Sequence, residues 1–133
     1  AGVDKDDFMF FDGSGLSGHD LVTPRAIARL LQYDASDPKG LTTGQPWFAQ
    51  WRASLPVGGE DGSLRSRFGK GPLAGHVFAK TGTLGEARAL SGYLECRSGR
   101  TVIFSVMDTD HAPGSSVDRA AMDRIVAAIW AAE

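Results

Sequence analysis

The sequence predicts an α+β fold, an antiparallel sheet with helices packed on it, within a single domain. Helical spacing dominates the first half of the chain, and a period-two pattern then marks three successive strands. The last part returns to helical spacing, so helices and strands are segregated and not alternated. A length of 133 residues agrees with one domain, since domains usually hold roughly 100–200 residues.

The first elements are a short strand and a capped helix. Residues 8–11 are four consecutive apolar side chains, which predict a buried strand. Residues 25–33 are predicted to be helical, because Thr23 can cap the helix and Pro24 occupies the favoured first position. The apolar side chains of this helix fall on one face: Ile27, Leu30 and Leu31.

A second helix is predicted over residues 46–55, where three aromatic side chains cluster. Residues 56–75 contain six glycines and two prolines and are therefore predicted to form a long loop. Long loops within compact domains are often functional.

The second half predicts three strands and a closing helix. The strands are expected at residues 77–81, ending at Gly82, and then at residues 87–96 and 101–107. Ser116 can cap a helix that runs to residue 132. The predicted buried face of this helix comprises Val117, Ala121, Ile125, Ala128 and Ala132.

Charge and composition exclude several classes of function. The chain has 14 Lys+Arg against 16 Asp+Glu, without the basic excess of broad nucleic-acid binding. The single cysteine, Cys96, allows neither an internal disulfide nor a four-thiolate metal site. No apolar run approaches the roughly 18 residues of a membrane span, and the N-terminal residues lack the pattern of a signal peptide.

Two stretches match known motifs letter for letter, but the residues around them do not support the structure that each motif requires. Residues 13–18 read G-x-G-x-x-G, but the predicted helix begins well after the motif, whereas a dinucleotide site requires it to begin within the motif. Ser36 and Lys39 form an S-x-x-K, but Pro38 and Gly40 make a helix there unfavourable. Both stretches are therefore predicted to be loops.

The third match, Lys80-Thr81-Gly82, stands in a more telling context. This K-T-G ends an apolar strand and is followed by two further strands, and in serine acyl-transfer enzymes such a strand borders the active site. Lys80 can place a cation near a substrate carboxylate, and Thr81 can offer that carboxylate a hydroxyl. Gly82 leaves room for the substrate, and the Thr83 backbone N–H can donate to a developing oxyanion. The alternative is a surface lysine at the end of a strand.

Other polar residues favour ordinary structural roles. His111 with Asp108 and Asp110 could suggest a metal ion, but their loop composition favours a solvated turn, and no metal site is predicted. Cys96 is interpreted as a small buried hydrophobe.

Five blocks in a fixed order resemble a known family. They are F-D-G-S-G-L-S at residues 11–17, the helix begun by Thr-Pro, L-P-V-G-G-E-D-G-S-L at 55–64, A-K-T-G-T-L at 79–84 and L-S-G-Y at 90–93. With them the chain resembles the C-terminal part of the class C penicillin-binding D-alanyl-D-alanine carboxypeptidases and endopeptidases. The resemblance implies part of a serine β-lactamase/transpeptidase-like domain, with no cofactor. It also implies an extracytoplasmic protein that binds peptidoglycan stem peptides and β-lactams.

The resemblance also implies site residues. Lys80 and Thr83 are the expected catalytic residues of this part. The expected substrate-binding residues are Thr81, Gly82, Leu84, Gly85, Leu16 and Ser17. Gly18 departs from the family, in which an arginine commonly follows D-G-S-G-L-S and receives the acidic side chain of the stem peptide.

The family's nucleophile motifs, S-x-x-K and S-x-N, precede D-G-S-G-L-S, and only eleven residues precede Asp12 here. We therefore expect the chain to be part of a larger transpeptidase-like domain, with its upstream part as the partner that supplies the nucleophile. One alternative is a non-catalytic member that binds wall peptides or a partner. Another is an esterase or a β-lactamase with the same fold, because a fold does not determine an activity.

Overall fold

The computed structural model describes residues 1–36, 45–112 and 114–133. Two short strands form one sheet and three longer strands form another. The strands are β1 Phe8–Met9, β2 Leu21–Val22, β3 Val77–Leu84, β4 Ala87–Glu95 and β5 Thr101–Asp108. The helices are α1 Pro24–Ala35, α2 Phe48–Ala53 and α3 Val117–Ala132.

The main sheet is an antiparallel meander in the order β3-β4-β5, as predicted. Lys80 lies opposite Ser91 of β4, which lies opposite Ser105 of β5. The predicted end of β3 at Gly82 was wrong, because the strand continues to Leu84. Gly82 pairs in the ladder with Ala89, since a glycine can hold extended backbone and donate its N–H like any other residue.

Helices cover both faces of this sheet. On one face, Met122 and Val126 of α3 pack with a buried cluster of the sheet that includes Val77, Ala79, Leu90 and Leu94. On the other face, Tyr93 packs against Leu31 of α1, and its hydroxyl donates to the Leu31 carbonyl at 2.9 Å. The central strand β4 is thus buried on both sides, which gives the K-T-G strand beside it a rigid support.

The helix α3 presents a different face from the one predicted. Val117 is 72% exposed and Ile125 is 45% exposed, while Met122 and Val126 are buried. Apolar side chains lie all round this helix, so its sequence fits more than one buried face and the contacts with the sheet decide which face packs. Ser116 occupies the N-cap position without a capping bond from its side chain; instead, the Ser115 hydroxyl accepts from the Val117 N–H at 3.2 Å.

The predicted buried strand over residues 8–11 was also wrong in its burial. Of these residues, only Phe8–Met9 forms a strand, and it pairs with the two-residue strand β2. The side chain of Phe11 is 69% exposed. What anchors this segment is the buried Asp7, whose two carboxylate oxygens accept from the Arg25 guanidinium at 2.7 and 2.8 Å. These bonds lower the pKa of Asp7.

Among the described residues, none of the helices is both long enough and apolar enough to span a bilayer.

Candidate active site

The K-T-G residues lie where the outer edge of β3 becomes free. Upstream of them, the segment after α2 pairs with this edge. The Ala79 N–H donates to the Pro56 carbonyl at 3.0 Å, and the Gly58 N–H donates to the Val77 carbonyl at 2.8 Å. Within residues 1–36, 45–112 and 114–133, no main-chain bond covers the edge from residue 80 to residue 84. An exposed edge of this kind can accept a further extended chain.

The pairing on this edge also fixes the direction of the main-chain groups. Val77 and Ala79 direct their peptide groups away from β4, as their bonds to the neighbouring segment show. Orientation alternates along an antiparallel strand, so Thr81 and Thr83 direct their N–H and C=O groups toward the same open edge. The Thr83 N–H therefore has the orientation that donation to an oxyanion requires.

The side chains of the motif divide between the two faces of the sheet. Lys80 is exposed, and its Nζ donates to the Thr81 carbonyl at 2.6 Å. Thr81 shares its face with the buried Ala79, and its hydroxyl donates to the Ser63 Oγ at 2.8 Å. Ser63 lies in the 3-10 turn Gly62–Leu64, which the fully buried Leu64 holds in place.

A pocket of about 200 Å³ opens beside the motif, between β3 and α3. Three arginines line it together with the motif threonines: Arg67, Arg88 and Arg119 with Thr81 and Thr83. Asp123 pairs with Arg67 at 2.6 Å and Asp118 pairs with Arg88 at 2.5 Å. In the part of the chain that the structure describes, Arg119 forms no salt bridge, so the pocket retains a positive charge.

The sequence analysis missed this pocket and the Ser63 contact. Arg88 could have been found from the register of the β3–β4 hairpin, because it lies directly opposite Thr83. Arg67 and Arg119 come from a loop and from α3, and nothing in their local sequence marks them.

The remaining expected substrate-binding residues lie in two places. Leu84 ends β3 and Gly85 begins the hairpin turn with a φ of +55°, a conformation that favours glycine. Leu16 is 74% exposed and lies with Ser17 in the loop between β1 and β2. Among the described residues, no hydrogen bond joins that loop to β3, so a shared subsite stays a prediction.

The structure corrects the interpretation of His111 as part of a solvated turn. Its side chain is only 6% exposed and lies near Asp118, whereas Asp110 is exposed. The G-x-G-x-x-G loop precedes α1 by several residues, as expected. Ser36 is the C-cap of α1, and Lys39 lies outside the described residues.

Comparison with known proteins decides the family. A sequence profile of the D-Ala-D-Ala carboxypeptidase 3 (S13) family matches residues 1–129. The chain belongs to this family. It is 38% identical over 116 residues to the D-alanyl-D-alanine carboxypeptidase of Actinomadura sp. (strain R39), covering 84% of this chain and 20% of that protein. It is 35% identical over 95 residues to the D-alanyl-D-alanine carboxypeptidase DacB of Haemophilus influenzae, covering 70% of this chain and 18% of that protein.

Solved structures confirm the fold. Penicillin binding protein 4 of Haemophilus influenzae superposes with a TM-score of 0.76 at 25% identity, over 97% of this chain and 29% of that one. A predatory peptidoglycan endopeptidase from Bdellovibrio bacteriovorus superposes with a TM-score of 0.72 at 22% identity, over 95% of this chain and 32% of that one. The S13 chain thus has the predicted transpeptidase-like α+β fold and spans a third or less of the length of these relatives.

Proposed function

We propose that the complete S13 protein is a serine-type D-Ala-D-Ala carboxypeptidase and endopeptidase of peptidoglycan stem peptides. The present chain contributes the K-T-G edge of its active site. The observation that carries the proposal is the open edge at Lys80-Thr81-Gly82-Thr83, with its main-chain groups directed outward beside a cationic pocket. The relatives named above as carboxypeptidases support the same activity.

The chemistry is acyl transfer through a covalent intermediate. A serine from the remainder of the protein attacks the carbonyl carbon of the terminal D-Ala-D-Ala bond, and the terminal D-Ala leaves as its amine takes up a proton. Water then hydrolyses the acyl-enzyme and restores the serine. In this scheme the Thr83 N–H stabilises the oxyanion, and Lys80 supplies positive charge beside the proton-transfer groups.

The pocket beside β3 suits the carboxylate of the departing D-Ala. Thr81, Thr83 and Arg119 line the same small space. Hydrogen bonds between a charged donor and a carboxylate are about twice as strong as those between neutral groups. β-Lactams carry a comparable carboxylate, and one relative of known structure is complexed with a β-lactam. Because its substrate is the cell wall, we place the complete protein outside the cytoplasm.

We expect the complete protein to form a stoichiometric covalent adduct with labelled penicillin and to release D-Ala from a stem peptide. The 133-residue chain alone should do neither, because it lacks the catalytic serine; loss of a nucleophile cost about 10⁶ in rate in a well-studied serine protease. Intact-mass spectrometry of both proteins measures the adducts. A complete protein that binds stem peptide without an adduct would identify a non-catalytic wall-binding member, and rapid penicillin hydrolysis without D-Ala release would identify a β-lactamase.

The residue after D-G-S-G-L-S should tune the substrate preference. Gly18 is exposed, and a Cβ added there would meet no atom within 4 Å, so an arginine can be accommodated. In the complete protein, Gly18→Arg should raise kcat/KM for stem peptides with a free acidic side-chain terminus. A charge-assisted bond worth roughly 1.5–3 kcal/mol corresponds to about tenfold to a hundredfold.

The control substrate is the same peptide with an amidated side-chain terminus, whose kcat/KM should stay unchanged. Gly13→Arg offers a matched control variant, since Gly13 is equally open and lies in the same loop. An equal kcat/KM for the acidic peptide before and after Gly18→Arg would contradict the prediction.

A further inference from the structure

Three ionisable side chains meet at the end of the sheet opposite the β4–β5 turn. Asp108 ends β5, His111 follows in the next loop, and Asp118 lies in the first turn of α3. One nitrogen of His111 and one carboxylate oxygen from each aspartate lie within 4.8 Å of one another. The side chains of His111 and Asp118 are each only 6% exposed.

Hydrogen bonding in this corner is incomplete among the described residues: the Nε of Arg88 is buried without an acceptor, and Asp118 lacks a donor for one of its carboxylate oxygens. The Nδ1 atom of His111 lies 2.6 Å from the Glu86 carbonyl oxygen and 3.9 Å from the Oδ2 of Asp118. A carbonyl can only accept, so a proton on Nδ1 is donated to Glu86 and does not reach Asp118. Among the described residues, Oδ2 of Asp118 accordingly has no hydrogen-bond partner although it is fully buried. Burying such an atom without a partner is costly.

Arg88 pairs with only one of the two carboxylate oxygens of Asp118. Its NH1 donates to the other oxygen of Asp118, Oδ1, at 2.5 Å. The second oxygen of Asp118, Oδ2, remains buried without a donor even with Arg88 beside it. A buried negative charge is stabilised by a paired cation or a metal ion.

We propose that this corner is a binding site for a divalent transition-metal ion, with Zn²⁺ as the best match. The ligands are a ring nitrogen of His111 and one carboxylate oxygen each from Asp108 and Asp118, and the Glu86 carbonyl lies beside them. Imidazole with carboxylates is a common ligand set for zinc. Ligand atoms bound at about 2.0–2.2 Å from one ion lie roughly 3–4 Å apart, so the side chains close by about 1 Å. The nitrogen that binds the ion carries no proton, and any proton it held is released to solvent.

The ion would join three elements around the candidate active site. Glu86 lies in the turn directly after the K-T-G strand, Asp108 ends β5, and Asp118 begins α3. Arg88, which holds Asp118, also lines the cationic pocket. A bound ion therefore fixes the β3–β4 turn to α3 without contacting the reacting atoms.

The test uses the 133-residue chain after removal of metal ions with a chelator. Zn²⁺ titration by calorimetry should give one ion per chain, and the thermal midpoint should rise on binding. His111→Ala should weaken Zn²⁺ binding at least tenfold. His76→Ala is the matched control: His76 is half exposed, lies 3.5 Å from Glu95, and should leave binding unchanged.

A second measurement needs no variant. In the ¹⁵N-histidine NMR spectrum of the unaltered chain, one equivalent of Zn²⁺ should shift the ring-nitrogen signals of His111 and leave those of His19 and His76 in place. Absence of binding, binding that persists in His111→Ala, or shifts confined to the other two histidines would each overturn the proposal. If His111→Ala fails to fold, Asp108→Asn and the NMR spectrum decide.

Discussion

Replacing Lys80 by alanine in the complete protein should slow acylation by penicillin about 10²–10³-fold, the usual effect of removing a group directed at transition-state charge. Stability should hardly change, because Lys80 is exposed and the only hydrogen bond of its side chain within the described residues is to the Thr81 carbonyl. Exposed substitutions of this kind change the free energy of unfolding by less than about 0.5 kcal/mol. The acylation rate and the thermal midpoint together check the prediction.

Two further variants sharpen this experiment. Lys80→Arg should restore only part of the rate, because the planar guanidinium is larger and cannot give up a proton at neutral pH. Lys70→Ala is the control, since Lys70 is also exposed but lies in the loop outside the site; its rate should equal that of the parent. If Lys80→Ala acylates within a few-fold of the parent at unchanged stability, Lys80 is a bystander and the proposed role of the K-T-G edge fails.

The strands and the K-T-G position could be predicted because their signals are local. Period-two alternation and a glycine-containing turn are patterns of consecutive residues. They predict the bounds of β3, β4 and β5 to within a few residues. The end of β3 was misjudged because glycine was interpreted as a strand terminator. In the structure, Gly82 continues the ladder opposite Ala89.

The features that could not be predicted, the buried face of α3 and the surroundings of His111, depend on residues distant in the sequence. The burial of α3 is decided by the sheet beneath it, which selects Met122 and Val126 and leaves Val117 exposed. The polar corner at His111 forms because Asp118 arrives from another element. Neither contact leaves a periodic pattern, and a loop composition is equally compatible with a buried histidine.

The largest effect on stability is expected at Gly92, in the middle of β4. A Cβ placed on Gly92 would lie 2.0 Å from the Phe78 carbonyl oxygen and 2.6 Å from the Cα of Ala79. Both are backbone atoms of the neighbouring strand, so no side chain can rotate away and the two strands would have to separate. Gly92→Ala should therefore lower the free energy of unfolding of this chain by about 3 kcal/mol, as severe overpacking does. Urea unfolding followed by circular dichroism measures this change.

Gly82→Ala is the matched control for Gly92→Ala. Gly82 lies in the same pair of strands, but a Cβ there would meet only the Ala89 Cβ at 3.5 Å, an ordinary van der Waals contact. We expect its urea midpoint to stay at the parent value or to rise slightly, because alanine restricts the unfolded chain more than glycine does. A loss of stability at both positions would mean that any side chain in this ladder is harmful. A loss at neither would contradict the close approach of β3 and β4 at Ala79, on which the rigid support of the K-T-G edge depends.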